Sequence, residues 1–160
     1  NYKKWRYGLD FGWFNPSAFN EVGLAEKSIY IRSEFSASKI EIEDLASEIK
    51  PICKSSVVRC DSSEPRTIDY LKRFGINAIP VKKGKGSVLT SIRFLRGMEI
   101  NINEECINTI NEFQTYQWAK GSGGKIIEEP VKVNDHNIDA IRYALEQEYV
   151  YGKAKAVNMS

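Results

Sequence analysis

"KWRYGLDFGWF", residues 4–14, decides how the chain is read. Trp5, Tyr7, Leu9 and Phe11 fall on one side of a period-two pattern, and Arg6, Gly8, Asp10 and Gly12 on the other. Alternation and aromatic content predict a β-strand. Asp10 is the oddity within it, because an unpaired carboxylate is costly to bury. Either its face is solvated, as on an edge strand with a polar outer side, or a positive group meets it. Gly8 and Gly12 share that face. Glycines weaken a strand, and a close approach by a ligand or another backbone would account for them.

Working outward, "NPSA" (15–18) is a turn signal, and "SAFNEVGLA" (17–25) and "KSIYIRSEFS" (27–36) read as two further strands. Three strands with tight connections make an antiparallel meander. "EIEDLASEIKPIC" (41–53) places Ile42, Leu45, Ala46 and Ile49 at helical spacing, with Pro51 expected to end the helix. "SSVVRCD" (55–61) predicts a short central strand. "SSEPRTIDYLKRFG" (62–75) predicts a helix with Ser63 as cap, Pro65 early and Gly75 as stop. "INAIPV" (76–81) is strand again, so this passage suggests a parallel crossover.

A basic glycine-rich loop, "KKGKG" (82–86), leads into a helix over 87–97 and an edge strand or extended segment over 98–103. A longer helix follows over 104–119, with Cys106, Ile107, Ile110 and Phe113 at helical intervals. A glycine-rich turn (120–125), an extended stretch broken by Pro130 and a last helix from about Asp135 complete the chain, with a frayed tail over 153–160. The expected class is α/β: a mixed central sheet, antiparallel meander first and parallel strands after, flanked by helices. One domain is expected over 1–152.

Bulk composition agrees. The 160 residues suit a single core, and 42% hydrophobic and 28% charged residues fit a globule. The net charge of +2, from 23 basic and 21 acidic residues, neither forces nor excludes a nucleic-acid partner. Cys53, Cys60 and Cys106 form no CxxC pair and read as buried or free thiols of a reducing compartment. No apolar run reaches membrane-span length, so no membrane partner is expected. Asn1 rather than Met opens the chain, which suggests a processed product or a part excised from something longer.

Three acidic positions carry the chemistry. Asp10 is the first. Asp61 is the second, at the carboxyl end of a strand, where crossover sheets bind ligands; a helix cap or turn former in "CDSSEP" is the plainer account. The third lies in "NDHNIDAIRYAL" (134–145), which holds the only histidine. Asp135 and Asp139 stand four apart and His136 and Asp139 three apart, so each pair projects from one side of a helix. Asn134 or Asp135 could be the cap, and an acidic first turn suits the helix dipole. Asp139 fits less well, since it interrupts Ile138, Ala140 and Ile141. Three acids from distant segments could converge on Mg²⁺ or Mn²⁺. Two such ions, about 3.5–4 Å apart, can activate water and stabilise the leaving oxygen of a phosphodiester.

The order of these acids, on a first strand, at the end of a fourth and on a final helix, matches the ribonuclease H-like nucleases. More narrowly, the chain resembles the C-terminal nuclease domain of the terminase large subunit of tailed bacteriophages. "GLDFGWFNPSAF", "CDSSEPRTIDYLKRFGINAIPVKKGKGSV", "YQW" and "VNDHNIDAIRYAL" carry the resemblance, in order, across nearly the whole chain. It implies that Asp10, Asp61 and Asp139 are the metal-binding, catalytic aspartates, with Asp10 bridging two ions. His136 matches a histidine near the metals in some members. Asp135 is expected to cap the helix or support the ligands. The bulky aromatics after Asp10 depart from the pattern and would shape access.

The implied reaction is metal-dependent endonucleolytic cleavage of concatemeric double-stranded DNA at the start and end of genome packaging. It would occur in the host cytoplasm, for a virus or a prophage. Lys82, Lys83, Lys85, Arg93 and Arg96 would follow the phosphate backbone without reading bases, with Lys72 and Arg73 extending that surface. For any one lysine, a solvated turn is an equal account. Trp118 could anchor a hairpin beside the cleft or belong to the core. "GSGGK" lacks phosphate-loop spacing, so no ATP site is expected. The implied partners are therefore DNA, an N-terminal packaging ATPase domain of the same polypeptide, the small terminase subunit and the portal, with the isolated domain a monomer. The competing readings are a resolvase or transposase-like core, although transposases more often end the acidic set on glutamate, a non-catalytic DNA-binding or docking domain, and a structural domain with polar caps.

Overall fold

The computed structural model describes residues 2–82, 86–121 and 134–150, with only the backbone for 117–121. Expectations for Lys83, Lys85, the Trp118 side chain, the stretch 122–133 and the tail 153–160 lie outside the described residues. The elements in order are β1 (Lys4–Asp10), β2 (Ser17–Leu24), β3 (Ser28–Ala37), α1 (Ile42–Cys53), β4 (Val57–Cys60), α2 (Pro65–Arg73), β5 (Asn77–Pro80), α3 (Ser87–Arg96), β6 (Glu99–Ile102), α4 (Ile107–Gly121) and α5 (His136–Ala144).

The strands form one six-stranded sheet in the order β5-β4-β1-β2-β3-β6. The meander β1–β2–β3 is antiparallel. β4 adds parallel to β1, β5 parallel to β4, and β6 parallel to β3 at the far edge. β1 is thus interior, and the edge-strand account of Asp10 is wrong.

Period two sends alternate residues of β1 and β2 to opposite faces. Tyr7, Leu9 and Phe19 meet α1 and α2 through Leu45, Ile49, Ile68 and Leu71, while Val22, Ile29 and Ile31 share a cluster with Leu95 of α3, Ile141 of α5, Cys106 just before α4 and Leu145 just after α5. All three cysteines are buried free thiols. Among the described residues no helix is long and apolar enough to cross a membrane.

Three local expectations are corrected. Pro51 lies inside α1, which runs on to the buried Cys53. A proline removes one helical hydrogen bond, and core packing of Cys53 in the same turn holds the helix beyond it. Ser63 does not cap α2: Glu64 occupies the cap position without a side-chain bond, although Pro65 opens the helix as expected. On α4, Ile107 is 62% exposed, whereas Thr109 and Glu112 are buried. The buried stripe is therefore partly polar, which apolar spacing does not reveal.

Candidate active site

Parallel pairing of β1 with β4 brings their carboxyl ends out side by side. Asp10 is the last residue of β1, and Asp61 follows Cys60 at the end of β4. The Asp61 N–H donates to the Leu9 carbonyl at 3.2 Å, which fixes the two acidic positions next to each other. α5 lies across β1 and β2, and the charge of its Asp139 acts on Asp10.

α5 can approach so closely because of Gly8. A β-carbon there would stand 1.8 Å from the Ala140 carbonyl oxygen. The glycine on the Asp10 face therefore serves a backbone approach by a helix, not a ligand. Gly12 serves a turn, since a β-carbon would stand 2.3 Å from the Asn15 carbonyl oxygen.

His136, the first residue of α5, places Nδ1 3.4 Å from Asp10 Oδ2. Asp10 itself is only 7% exposed. Burial, then the charges of Asp139, Asp61 and Asp135, push its carboxyl up to about 8 against the lesser pull of Arg142. Asp139 is also raised, because burial outweighs its ion pair with Arg142 at 2.6 Å.

Asp61 also performs the plainer role considered for it, since Oδ1 accepts the Ser63 N–H at 3.0 Å. Asp135 occupies the cap position of α5 but makes no side-chain cap bond. Glu112 of α4 does so instead: Oε1 accepts the N–H groups of Asn137 at 2.8 Å and Ile138 at 3.1 Å, and Oε2 accepts the Asn137 side-chain amide. Burial pushes the Glu112 carboxyl up to about 7, against these hydrogen bonds.

Asp135, Asp139 and Arg142 line a cleft of about 190 Å³ with Lys82, Ser87 and Tyr116. Lys82 is exposed, and its backbone N–H donates to the buried Glu146 Oε1 at 2.7 Å, so the chain just past α5 fixes the entry to the basic loop. Arg93 and Arg96 are exposed in the last turn of α3. Lys72 and Arg73 are on α2, across the sheet from α3, and do not extend that surface.

Among the described residues, no three histidine, cysteine or acidic side chains already form a metal-ligand group. Glu112, Arg142 and Ser91 give only a weak signal in sequence: a polar residue at a helical interval reads as solvent-facing until its neighbours are known.

The sequence pattern of the terminase RNase H-like domain matches residues 10–147. The chain is 30% identical over 146 residues to the PBSX phage terminase large subunit of Bacillus subtilis (strain 168), covering 88% of this chain and 34% of that protein. It is 33% identical over 155 residues to the terminase large subunit of Bacillus phage SPP1, covering 92% of this chain and 37% of that protein. The chain thus spans about a third of the length of these relatives. Among solved structures, the Mn-bound nuclease domain of the SPP1 large terminase superposes with a TM-score of 0.82 at 34% identity, over 92% of this chain and 88% of that one.

Proposed function

The chain belongs to the RNase H-like nuclease domains of terminase large subunits, and from that premise we propose that it cuts double-stranded DNA by hydrolysis at a divalent-cation site on Asp10, Asp61 and Asp139. What supports the reading is that β1, the end of β4 and α5 carry Asp10, Asp61 and Asp139, and that the last two lie near enough to the buried Asp10 to help raise its carboxyl.

The donor set fits the group. Carboxylate oxygens suit Mg²⁺ or Mn²⁺, and burial, then the charges of neighbouring aspartates, raise the Asp10 carboxyl to about 8, a charge that a bound cation would relieve. The SPP1 domain that the chain resembles holds Mn. Bound here, two such ions would supply activation of water and stabilisation of the leaving oxygen.

The protein's own groups do the rest. Asp10, central and least exposed, would hold both ions, with Asp61 and Asp139 holding one each. His136, beside Asp10, would orient that carboxylate or move a proton at Nδ1. Asp135 would support the ligands from the cleft wall. Lys82, Lys83, Lys85, Arg93 and Arg96 would grip phosphates without reading bases, favouring cuts of low sequence preference.

In the whole protein, the cuts would open and close packaging of concatemeric viral DNA in the host cytoplasm. The partners would be an upstream packaging ATPase domain, the small terminase subunit and the portal. The isolated domain would be a monomer over residues 1–152.

A plasmid-cleavage assay tests the reading. Mn²⁺ or Mg²⁺ should give nicked and linear DNA, EDTA should stop it, and Asp61→Asn should be nearly inactive. DNA binding without cutting under either metal would identify an inert docking domain instead.

A further inference from the structure

Arg142 is a buried cation paired with Asp139 of the acidic group. It is 8% exposed, and Nη2 donates to Asp139 Oδ1 at 2.6 Å. Its other terminal nitrogen, Nη1, donates to Ser91 Oγ at 3.2 Å. Ser91 is itself 1% exposed, and its hydroxyl donates to the Val88 carbonyl at 2.7 Å. The hydroxyl proton is thus committed to α3, and a lone pair is aimed at the guanidinium. One planar fork spans from α3 to Asp139, a geometry that lysine cannot reproduce.

Two roles are physically possible for such a cation. It could merely balance charge, in which case it competes with a bound metal. Alternatively, it could fix the carboxylate. A buried guanidinium needs acceptors for its N–H groups in either role, but one whose acceptors lie on two helices is held in a single orientation, which is what fixing the carboxylate requires. With Oδ1 held by Arg142, Oδ2 is the oxygen left to meet a ligand.

We propose that Arg142, anchored by Ser91, is a positioning residue that holds Asp139 by one oxygen and presents the other to a divalent cation. This rests on the metal reading above. Hydrogen-bonded support of a ligating carboxylate typically changes metal affinity by about 10–100-fold. The arrangement also ties Asp139 to α3, the helix that follows the basic loop, so the metal ligand and the DNA-facing segment share one rigid connection.

The test is Mn²⁺ titration calorimetry on the DNA-free chain, with circular dichroism and melting to confirm folding. Arg142→Gln removes the charge, and Arg142→Lys keeps the charge but loses the fork. Positioning predicts Mn²⁺ affinity weakened about 10–100-fold in both. Ser91→Ala leaves Arg142 in place, is the variant least able to disturb folding, and should weaken Mn²⁺ several-fold. Unchanged or tighter Mn²⁺ binding in Arg142→Gln, with Arg142→Lys like the unmodified chain, would overturn the role in favour of simple charge balance. Unchanged affinity in Ser91→Ala would also overturn it. No Mn²⁺ binding by the unmodified chain would instead defeat the metal reading, and this role with it.

Discussion

Gly8 lies so close beneath Ala140 that no side chain can stand between β1 and α5. This contact sets how near the helix carrying His136 and Asp139 comes to the strand carrying Asp10. Gly8→Ala would drive a methyl group into a backbone carbonyl, which cannot rotate away. Overpacking costs about 1–3 kcal/mol and sometimes more, and this case should lie at or beyond the upper end. Urea denaturation should show a large loss of stability or no folded protein. A loss within ~0.5 kcal/mol would mean that α5 is not held this closely.

The cap on α5 comes from another helix, and that predicts a graded response at Glu112. Glu112→Ala removes the acceptor for two helix N–H groups and should cost about 1–2 kcal/mol. Glu112→Gln keeps one carbonyl oxygen for those groups, and, with the Asn137 amide turned over, its own amide can donate to Asn137 Oδ1, a buried atom without a partner among the described residues. The glutamine variant should therefore melt well above the alanine variant. Equal melting temperatures would show that the cap contributes little.

Glu112 also gives a pH signature. Its carboxyl is raised from 4.5 to about 7 on folding, so the neutral form is favoured in the folded state. Its contribution to stability is fully present below pH 4.5 and is lost as pH rises through about 7. Glu112→Gln should lack that fall, seen as a flatter dependence of melting temperature on pH between those values. A parallel curve for both proteins would refute the assignment.

Asp10 predicts opposite effects on stability and activity. Raised from 3.8 to about 8, it stabilises the cation-free fold fully below pH 3.8 and loses that contribution as pH rises through about 8. Near pH 8, Asp10→Asn should therefore melt above the unmodified chain without metal, yet should not cut DNA. Added Mn²⁺ should raise the melting temperature of the unmodified chain and leave the variant almost unmoved. A destabilised variant at pH 8 would contradict the charge account of the site.

How much of this was legible in the sequence follows from what each signal depends on. β1 declared itself because period two and aromatic content are local properties, and the crossover did so because Pro65 and Gly75 mark the ends of α2. The acidic positions were legible because each sat at a strand end or broke an apolar pattern. The Gly8 face was readable as a close approach, although not as an approach by α5. Pro51 misled because a helix survives one lost bond when a buried Cys53 secures its last turn. Glu112, Arg142 and Ser91 were illegible because their partners lie 25, 51 and 51 residues away, or on a helix surface that reads as solvent. Polar residues that cap or orient across elements carry no periodic mark.

Anomalous diffraction from crystals of the chain soaked in Mn²⁺ would locate the cations themselves. Peaks should lie among the carboxylates of Asp10, Asp61 and Asp139, with Asp10 nearest to both if two ions bind, and Arg142 still on one oxygen of Asp139. Crystals with no peak there, or with Mn²⁺ held only by other residues, would contradict a cation site on these three aspartates.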